Sequence, residues 1–64
     1  MRISQQLKFI RETIGLTQDD LALILDTKRN TISQWEREKN TPSVKSLQKL
    51  YKATGVKLNI YEGE

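Results

Sequence analysis

Apolar residues recur at helical spacing in four segments of the chain, and this pattern predicts four helices. The first segment predicts a helix over about residues 5–14, which the hydroxyl of Ser4 would cap and Gly15 would end. Its inward face consists of apolar side chains at intervals of four, three and four residues: Ile3, Leu7, Ile10 and Ile14.

The second and third predicted helices are short and close together in the sequence. Thr17, followed three residues later by Asp20, predicts a capping box at the start of the second helix. The pattern breaks at Asp26, a residue type that enters the left-handed backbone region more readily than most. The third helix is then predicted from about Lys28 to Arg37, with its cap at Lys28 or Thr27. The side chains expected to lock the angle between the two helices are Leu21, Leu25, Ile32 and Trp35, and Ala22 is the small residue expected where the helices cross closely.

The fourth helix is predicted to begin after Ser43, which follows the loop around Pro42, and to end at Gly55. Its expected inward side chains are Val44, Leu47, Leu50 and Tyr51. After Gly55 the apolar period changes to two, which is typical of a strand formed around Val56, Leu58 and Ile60. A single strand must satisfy its backbone polar groups outside its own monomer, so we expect it to pair with a second copy of the chain. The alternative is a disordered terminus.

This pattern predicts two parts, a helical domain over residues 1–55 and a dimerisation tail over residues 56–64. The 64 residues include no Cys and no His, which excludes thiol chemistry and removes the commonest general base. The acidic residues form no loop of metal ligands. We therefore expect a protein that is not an enzyme and has no cofactor and no metal site. The sequence contains no apolar run long enough to span a bilayer and no signal-peptide core, which predicts a cytoplasmic protein without a membrane partner.

The net charge of +3 is unevenly distributed along the chain. Residues 27–57 contain eight basic and two acidic residues, whereas residues 1–26 have a net charge of −1. A basic segment of this density favours a polyanionic partner, with nucleic acid ahead of a membrane surface. The alternative is a lysine-rich surface that contacts only solvent.

The third helix carries polar side chains on the side opposite Ile32 and Trp35, at about 100° per residue. They are Asn30, Ser33, Gln34 and Arg37. Amide and guanidinium groups suit the edges of adenine and guanine, and basic residues at the start of this helix suit phosphates. The segment 18–37 therefore has the composition of a helix-turn-helix, whose second helix enters the major groove. The alternative is a helix face that contacts only solvent.

Longer stretches of the sequence resemble one protein family. The matching runs are Leu16-Thr17-Gln18-Asp19-Asp20-Leu21-Ala22, Thr31-Ile32-Ser33-Gln34-Trp35-Glu36-Arg37, Thr41-Pro42-Ser43 and Leu47-Gln48-Lys49-Leu50. They resemble the Cro/cI-type helix-turn-helix family of phage and bacterial repressors, also called Xre, over residues 6–56. The resemblance implies an all-α, four-helix, lambda-repressor-like domain that binds double-stranded DNA as a homodimeric transcriptional regulator, in most cases a repressor. Such a protein would be found with the nucleoid.

The resemblance also implies roles for individual residues. Those expected to contact bases are Lys28, Arg29, Asn30, Ser33 and Gln34. Those expected to contact phosphates are Gln18, Arg11, Arg37, Lys39 and Asn40. In this family an Arg of the first helix pairs with the Glu that ends the motif, which implies a salt bridge between Arg11 and Glu36. The residues themselves favour the same pair, because Glu36 lies beside Ile32 on the helical wheel and a carboxylate drawn inward needs a cation.

Two features leave a second function open. The strand-like end at residues 57–62 is similar to the HipB-like antitoxin branch, in which strands from two subunits pair, and this implies a toxin protein as a further partner. Phe9 and Leu23 lie off the apolar faces of their helices. They either extend the core or cover the tail strand, or they form a patch that docks a protein.

Overall fold

A computed structural model describes residues 2–58 and contains four helices in this part of the chain. These are α1 (Ile3–Ile14), α2 (Gln18–Ile24), α3 (Arg29–Glu36) and α4 (Val44–Thr54). α3 packs against α1 and α2, and α2 also packs against α4. The predicted all-α architecture of four helices is confirmed. No helix within residues 2–58 has the length and apolar character needed to cross a membrane.

The core lies between the four helices, and each helix contributes large apolar side chains to it. The most deeply buried are Leu7, Leu21, Ile32 and Leu50. All four side chains predicted to lock α2 against α3 are buried, and so is Ala22, the small residue expected where the helices cross. The inward face of residues 18–37 was therefore predictable from spacing, because residues three or four apart share one face of a helix.

Side-chain caps begin α2 and α4 as the sequence predicted. Thr17 Oγ1 accepts from the backbone N–H of Asp20 at 3.0 Å, and an Asp20 carboxylate oxygen accepts from the Thr17 N–H at 2.9 Å. The hydrogen bond from the backbone of Thr17 lowers the pKa of the Asp20 carboxyl below its ordinary value, and a hydrogen bond with the Thr17 side chain lowers it further. Ser43 Oγ accepts from the N–H of Ser46 at 3.1 Å. These bonds satisfy helix N–H groups that otherwise lack partners.

The start of α1 differs from the prediction, since Ser4 is not its cap. The helix begins at Ile3, and Gln5 Oε1 accepts from the backbone N–H of Arg2 at 3.2 Å. The earlier start places Ile3 in the core, where burial of its side chain outweighs the preference of Ser4 for a capping position. Ser4 is buried within the helix, and its hydroxyl has no hydrogen-bond partner among the described residues.

One type of hydrogen-bonded turn ends α1, α2 and α3. In each case a residue with positive φ is followed by a backbone N–H that donates to the carbonyl five residues earlier, the Schellman pattern. The donor–acceptor distances lie between 2.8 and 2.9 Å for Leu16 to Arg11, Thr27 to Ala22 and Lys39 to Gln34. The residues with positive φ are Gly15, Asp26 and Glu38. Gly15 and Asp26 were expected to adopt this geometry, whereas Glu38 was not.

Glu38 adopts a φ of 61°, a conformation that strains a residue with a Cβ atom. Replacing Glu38 with glycine is therefore expected to raise the free energy of unfolding by about 1 kcal/mol. Urea unfolding followed by the fluorescence of Trp35 measures this change. The substitution also removes the ion pair between Arg2 Nη1 and Glu38 Oε1, but both side chains are largely exposed and such a pair contributes less than about 1 kcal/mol.

Two control variants isolate the backbone effect at Glu38. Arg2→Ala removes the ion pair alone and should change stability little. Asp26→Gly relieves a φ of 56° in a residue type that tolerates this region better, so its gain should be smaller. A loss of stability in Glu38→Gly would contradict the assignment of strain to this position.

The outer face of α4 and the segment after it differ most from the prediction. Val44 and Tyr51, expected to lie inward, are 70% and 50% exposed, while Leu50 is buried. Residues 56–58 form no strand. Instead, Gly55 with a φ of 75° redirects the chain, and Leu58 joins the core of its own monomer. Residues 59–64, which include the predicted strand residue Ile60, lie outside the part of the chain that the structure describes.

Phe9 and Leu23 do not extend the core. Their side chains are 61% and 83% exposed. Both therefore present apolar surface on α1 and α2 that no described residue buries.

Candidate nucleic-acid interface

A buried ion pair fixes α3 against α1. Arg11 Nε donates to Glu36 Oε2 at 2.6 Å, and Arg11 Nη2 donates to Glu36 Oε1 at 3.1 Å. The two side chains are only 11% and 5% exposed. Arg11 Nη1 also donates to the backbone carbonyl of Leu16 at 2.8 Å, which anchors the turn that follows α1. The expected salt bridge is therefore present as a bidentate pair, the strongest form of this interaction.

Gln18, the first residue of α2, completes the network. Its Nε2 donates to Glu36 Oε1 at 3.1 Å. Burial alone raises the pKa of Glu36, but the hydrogen bonds from Arg11 and Gln18, together with the charges of Arg11 and Lys8, outweigh burial and lower it overall. The hydrogen bond to Glu36 raises the pKa of Arg11 in turn. One carboxylate, at the end of α3, thus accepts hydrogen bonds from side chains of both α1 and α2.

This network changes what Arg11 and Gln18 can do at a DNA surface. Three N–H groups of the Arg11 guanidinium already have acceptors within the protein. Gln18 uses one amide N–H for Glu36 and keeps a second, since a glutamine amide carries two. The hydrogen bond between Gln18 and Glu36 was not predicted, because amide side chains form such contacts without any sequence signature.

The outward face of α3 presents the polar side chains that the helical wheel predicted. Asn30 and Arg37 are exposed, and Ser33 and Gln34 are half-buried. Lys28 occupies the position before the helix, with an extended backbone and no capping bond from its side chain. Lys28, and not Thr27, therefore occupies the N-cap position. Its side chain is exposed and forms no capping hydrogen bond.

Arg29 and Arg37 each have a neighbour on the protein. Arg29 Nε lies 4.0 Å from an Asp19 carboxylate oxygen, with both side chains mostly exposed, so this contact is weak. Arg37 Nε donates to the carbonyl of Ser33 at a long 3.4 Å. Neither contact buries the guanidinium group, and both arginines remain on the surface.

The loop after α3 adds a second polar edge beside the helix. Lys39 and Asn40 are exposed. Asn40 Nδ2 donates to Gln34 Oε1 at 2.6 Å, which joins the loop to the outward face of α3. The sequence placed both residues near DNA, but it gave no sign that they contact each other.

Among residues 2–58, no group of three or more His, Cys, Asp or Glu side chains could hold a metal ion. The arrangement is a rigid scaffold that presents hydrogen-bond donors and positive charge, which suits the recognition of a polyanion.

Comparison with known proteins identifies the family. The sequence model of the Helix-turn-helix family matches residues 7–61. An uncharacterized HTH-type transcriptional regulator of Methanocaldococcus jannaschii is 40% identical to the chain, over 97% of this chain and 98% of the relative. No solved structure matches the chain. The four helices, the exposed polar face of α3 and these matches together show that the chain belongs to the Cro/cI-type helix-turn-helix family of DNA-binding transcriptional regulators.

Proposed function

We propose that this protein is a sequence-specific regulator that binds double-stranded DNA as a homodimer and represses transcription, with α3 in the major groove. The observation that carries the proposal is the outward polar face of α3, held in place by the buried pair Arg11–Glu36. A helix that enters the groove needs both properties, since base readout requires donors and acceptors at fixed positions. The protein would act in the cytoplasm, where the nucleoid lies.

The proposed contacts divide into two classes. Those to base edges come from Lys28, Arg29, Asn30, Ser33 and Gln34. Loss of one bidentate contact of this kind costs about 1–3 kcal/mol at a single base pair. Those to phosphates come from Gln18, through its second amide N–H, and from Arg37 and Lys39, whereas Asn40, also expected at a phosphate, donates to Gln34 within the protein. Arg11 is assigned to the scaffold instead, because its guanidinium is nearly buried and three of its N–H groups are engaged.

Selection of bound sequences from random DNA, followed by binding isotherms at several salt concentrations, tests the proposal. We expect a two-fold symmetric site, and an affinity that falls with salt by about 0.9 logarithmic units per phosphate neutralised. Lys39→Ala should reduce this slope by about one and leave sequence preference unchanged. Lys49→Ala, on α4 and outside both the proposed DNA contacts and the groove beside that helix, is the matched control and should leave the slope unchanged. Affinity that does not respond to salt would overturn the proposal.

The homodimer is supported by the single α3 of each copy and by one apolar surface. One copy has one α3 to place in the major groove, so two half-sites about 34 Å apart require two copies. A groove between α4 and residues 57–58 has a mainly apolar lining and a polar edge. Its apolar residues are Val44, Leu47, Tyr51 and Leu58, and its polar residues are Gln48, Lys52 and Lys57. We assign this groove to the dimer contact, in place of pairing by a strand that includes Leu58. Sedimentation that finds only monomer at micromolar concentration would exclude the homodimer.

The antitoxin alternative rests on Phe9 and Leu23, whose exposed apolar side chains suit a protein partner better than water. In this version the protein binds a toxin and regulates its own operon. A toxin encoded in the adjacent reading frame, co-purifying with the native protein but not with a Phe9→Ser/Leu23→Ser variant, would favour the alternative. The variant should keep its fold and its DNA binding, since neither residue belongs to the core or to the outward face of α3.

A further inference from the structure

The contact between Asn40 and Gln34 lies within the proposed DNA interface but is made entirely inside the protein. Asn40 Nδ2 donates to Gln34 Oε1 at 2.6 Å, a short bond between a loop and the outward face of α3. We propose that Asn40 is a positioning residue that orients the Gln34 amide and thereby decides which base edge Gln34 reads. This inference rests on the proposed function, because it concerns the recognition of a base by α3.

The backbone explains why Asn40 reaches a residue six positions earlier. The turn that ends α3 brings the Lys39 N–H to the Gln34 carbonyl at 2.8 Å and the Glu38 N–H to the Trp35 carbonyl at 3.2 Å. The positive φ of Glu38 reverses the chain at this point. Gln34 is therefore held twice, once through its backbone carbonyl and once through its side-chain carbonyl.

The orientation of the amide has a chemical consequence. An unconstrained glutamine can offer its NH2 group as a donor, its carbonyl as an acceptor, or both together to adenine. In this protein one lone pair of the Gln34 carbonyl accepts from Asn40 and fixes the amide, so the NH2 group is the end that keeps its full hydrogen-bonding capacity for DNA. An NH2 group pairs with acceptors, namely purine N7, guanine O6 and thymine O4. Gln34 should therefore prefer guanine or thymine over the amino groups of adenine and cytosine at the base it meets.

Three variants test this assignment on DNA sites that differ at one base pair. Asn40→Ala frees the amide, and discrimination at the base pair read by Gln34 should fall by about fivefold or more. Asn40→Asp replaces the donor with a carboxylate, which accepts from the Gln34 NH2 group and turns its carbonyl outward. Preference at that base pair should then move toward adenine or cytosine. Thr41→Ala, an exposed neighbour in the same loop, is the matched control and should keep the wild-type preference.

Gln34→Ala identifies the base pair, and adding Asn40→Ala to it should change the preference there no further. The inference is overturned if Asn40→Ala weakens binding equally for all sequences and reduces the salt slope, because Asn40 is then a phosphate contact. It is also overturned if Asn40→Asp keeps the original preference. Wild-type protein that binds DNA without any sequence preference would instead contradict the proposed function, so the two failures can be told apart.

Discussion

Replacing Arg11 with alanine is expected to lower the free energy of unfolding by about 3 kcal/mol, because it leaves the carboxylate of Glu36 buried without its cation. In a domain of this size such a loss lowers the melting temperature by about 12 °C or more. Thermal and urea unfolding, followed by the fluorescence of the buried Trp35, measure the effect. DNA affinity should fall as well, since α3 loses its anchor to α1.

The dependence of stability on pH provides a sharper test of the same pair. In the wild type the pKa of Glu36 is lower in the folded state than in the unfolded state. The carboxylate therefore contributes its full share to the free energy of unfolding above the unfolded pKa of about 4.3, and this share is lost as pH falls through the lower folded pKa. In Arg11→Ala burial should dominate and raise the pKa of Glu36. Stability should then increase as pH falls from 7 toward 4.3, the opposite sign.

Glu36→Gln is the matched control for Arg11→Ala. It removes the titrating carboxylate and should remove both pH effects, while Arg11→Ala added to it should cost much less than in the wild type. If Arg11→Ala and wild type lose stability in parallel between pH 7 and pH 4, the ion pair does not govern the charge state of Glu36.

Replacing Leu58 with alanine is expected to cost about 2–3 kcal/mol, because its side chain is only 8% exposed and belongs to the core of its own monomer. A domain of this size is rarely stabilised by more than 3–5 kcal/mol. The variant should therefore have a substantial unfolded population at room temperature. Urea unfolding at several protein concentrations measures the loss.

Concentration distinguishes a core role for Leu58 from a dimer role. Substitution of a residue that stabilises the monomer lowers the free energy of unfolding by the same amount at every protein concentration. Substitution of a dimer contact lowers it by an amount that depends on protein concentration. Val56→Ala is the matched control in the same segment, since Val56 is 39% exposed and should cost much less. A destabilisation by Leu58→Ala that disappears at low protein concentration, where the wild type is monomeric as well, would instead assign Leu58 to the dimer interface.

The parts of the fold that sequence predicted are those that local chemistry determines. Thr17 and Ser43 cap helices because a hydroxyl accepts from an unpaired N–H, and Gly15 ends one because it adopts positive φ at little cost. The parts that were missed depend on packing over longer distances. The helical period of α4 defines an apolar face, but it does not say how much of that face a partner covers, and Tyr51 therefore remains half exposed.

The candidate site also combines contacts that the sequence predicts with contacts that depend on the folded chain. The pair of Arg11 and Glu36 was predictable because a carboxylate on an inward face needs a cation. The hydrogen bond from Asn40 to Gln34 depends on the turn at Glu38, and a positive φ is not predicted for a glutamate. Polar contacts that follow from an unexpected turn cannot be derived from spacing.

The bond between Asn40 and Gln34 also constrains how this protein can evolve toward a new operator. Asn30 is exposed, and its side chain forms no hydrogen bond with another described side chain. It can therefore be substituted without a compensating change elsewhere. Gln34 cannot, because its amide is shared with Asn40. Mutations at these two positions should show epistasis, and lineages that change specificity should substitute them together.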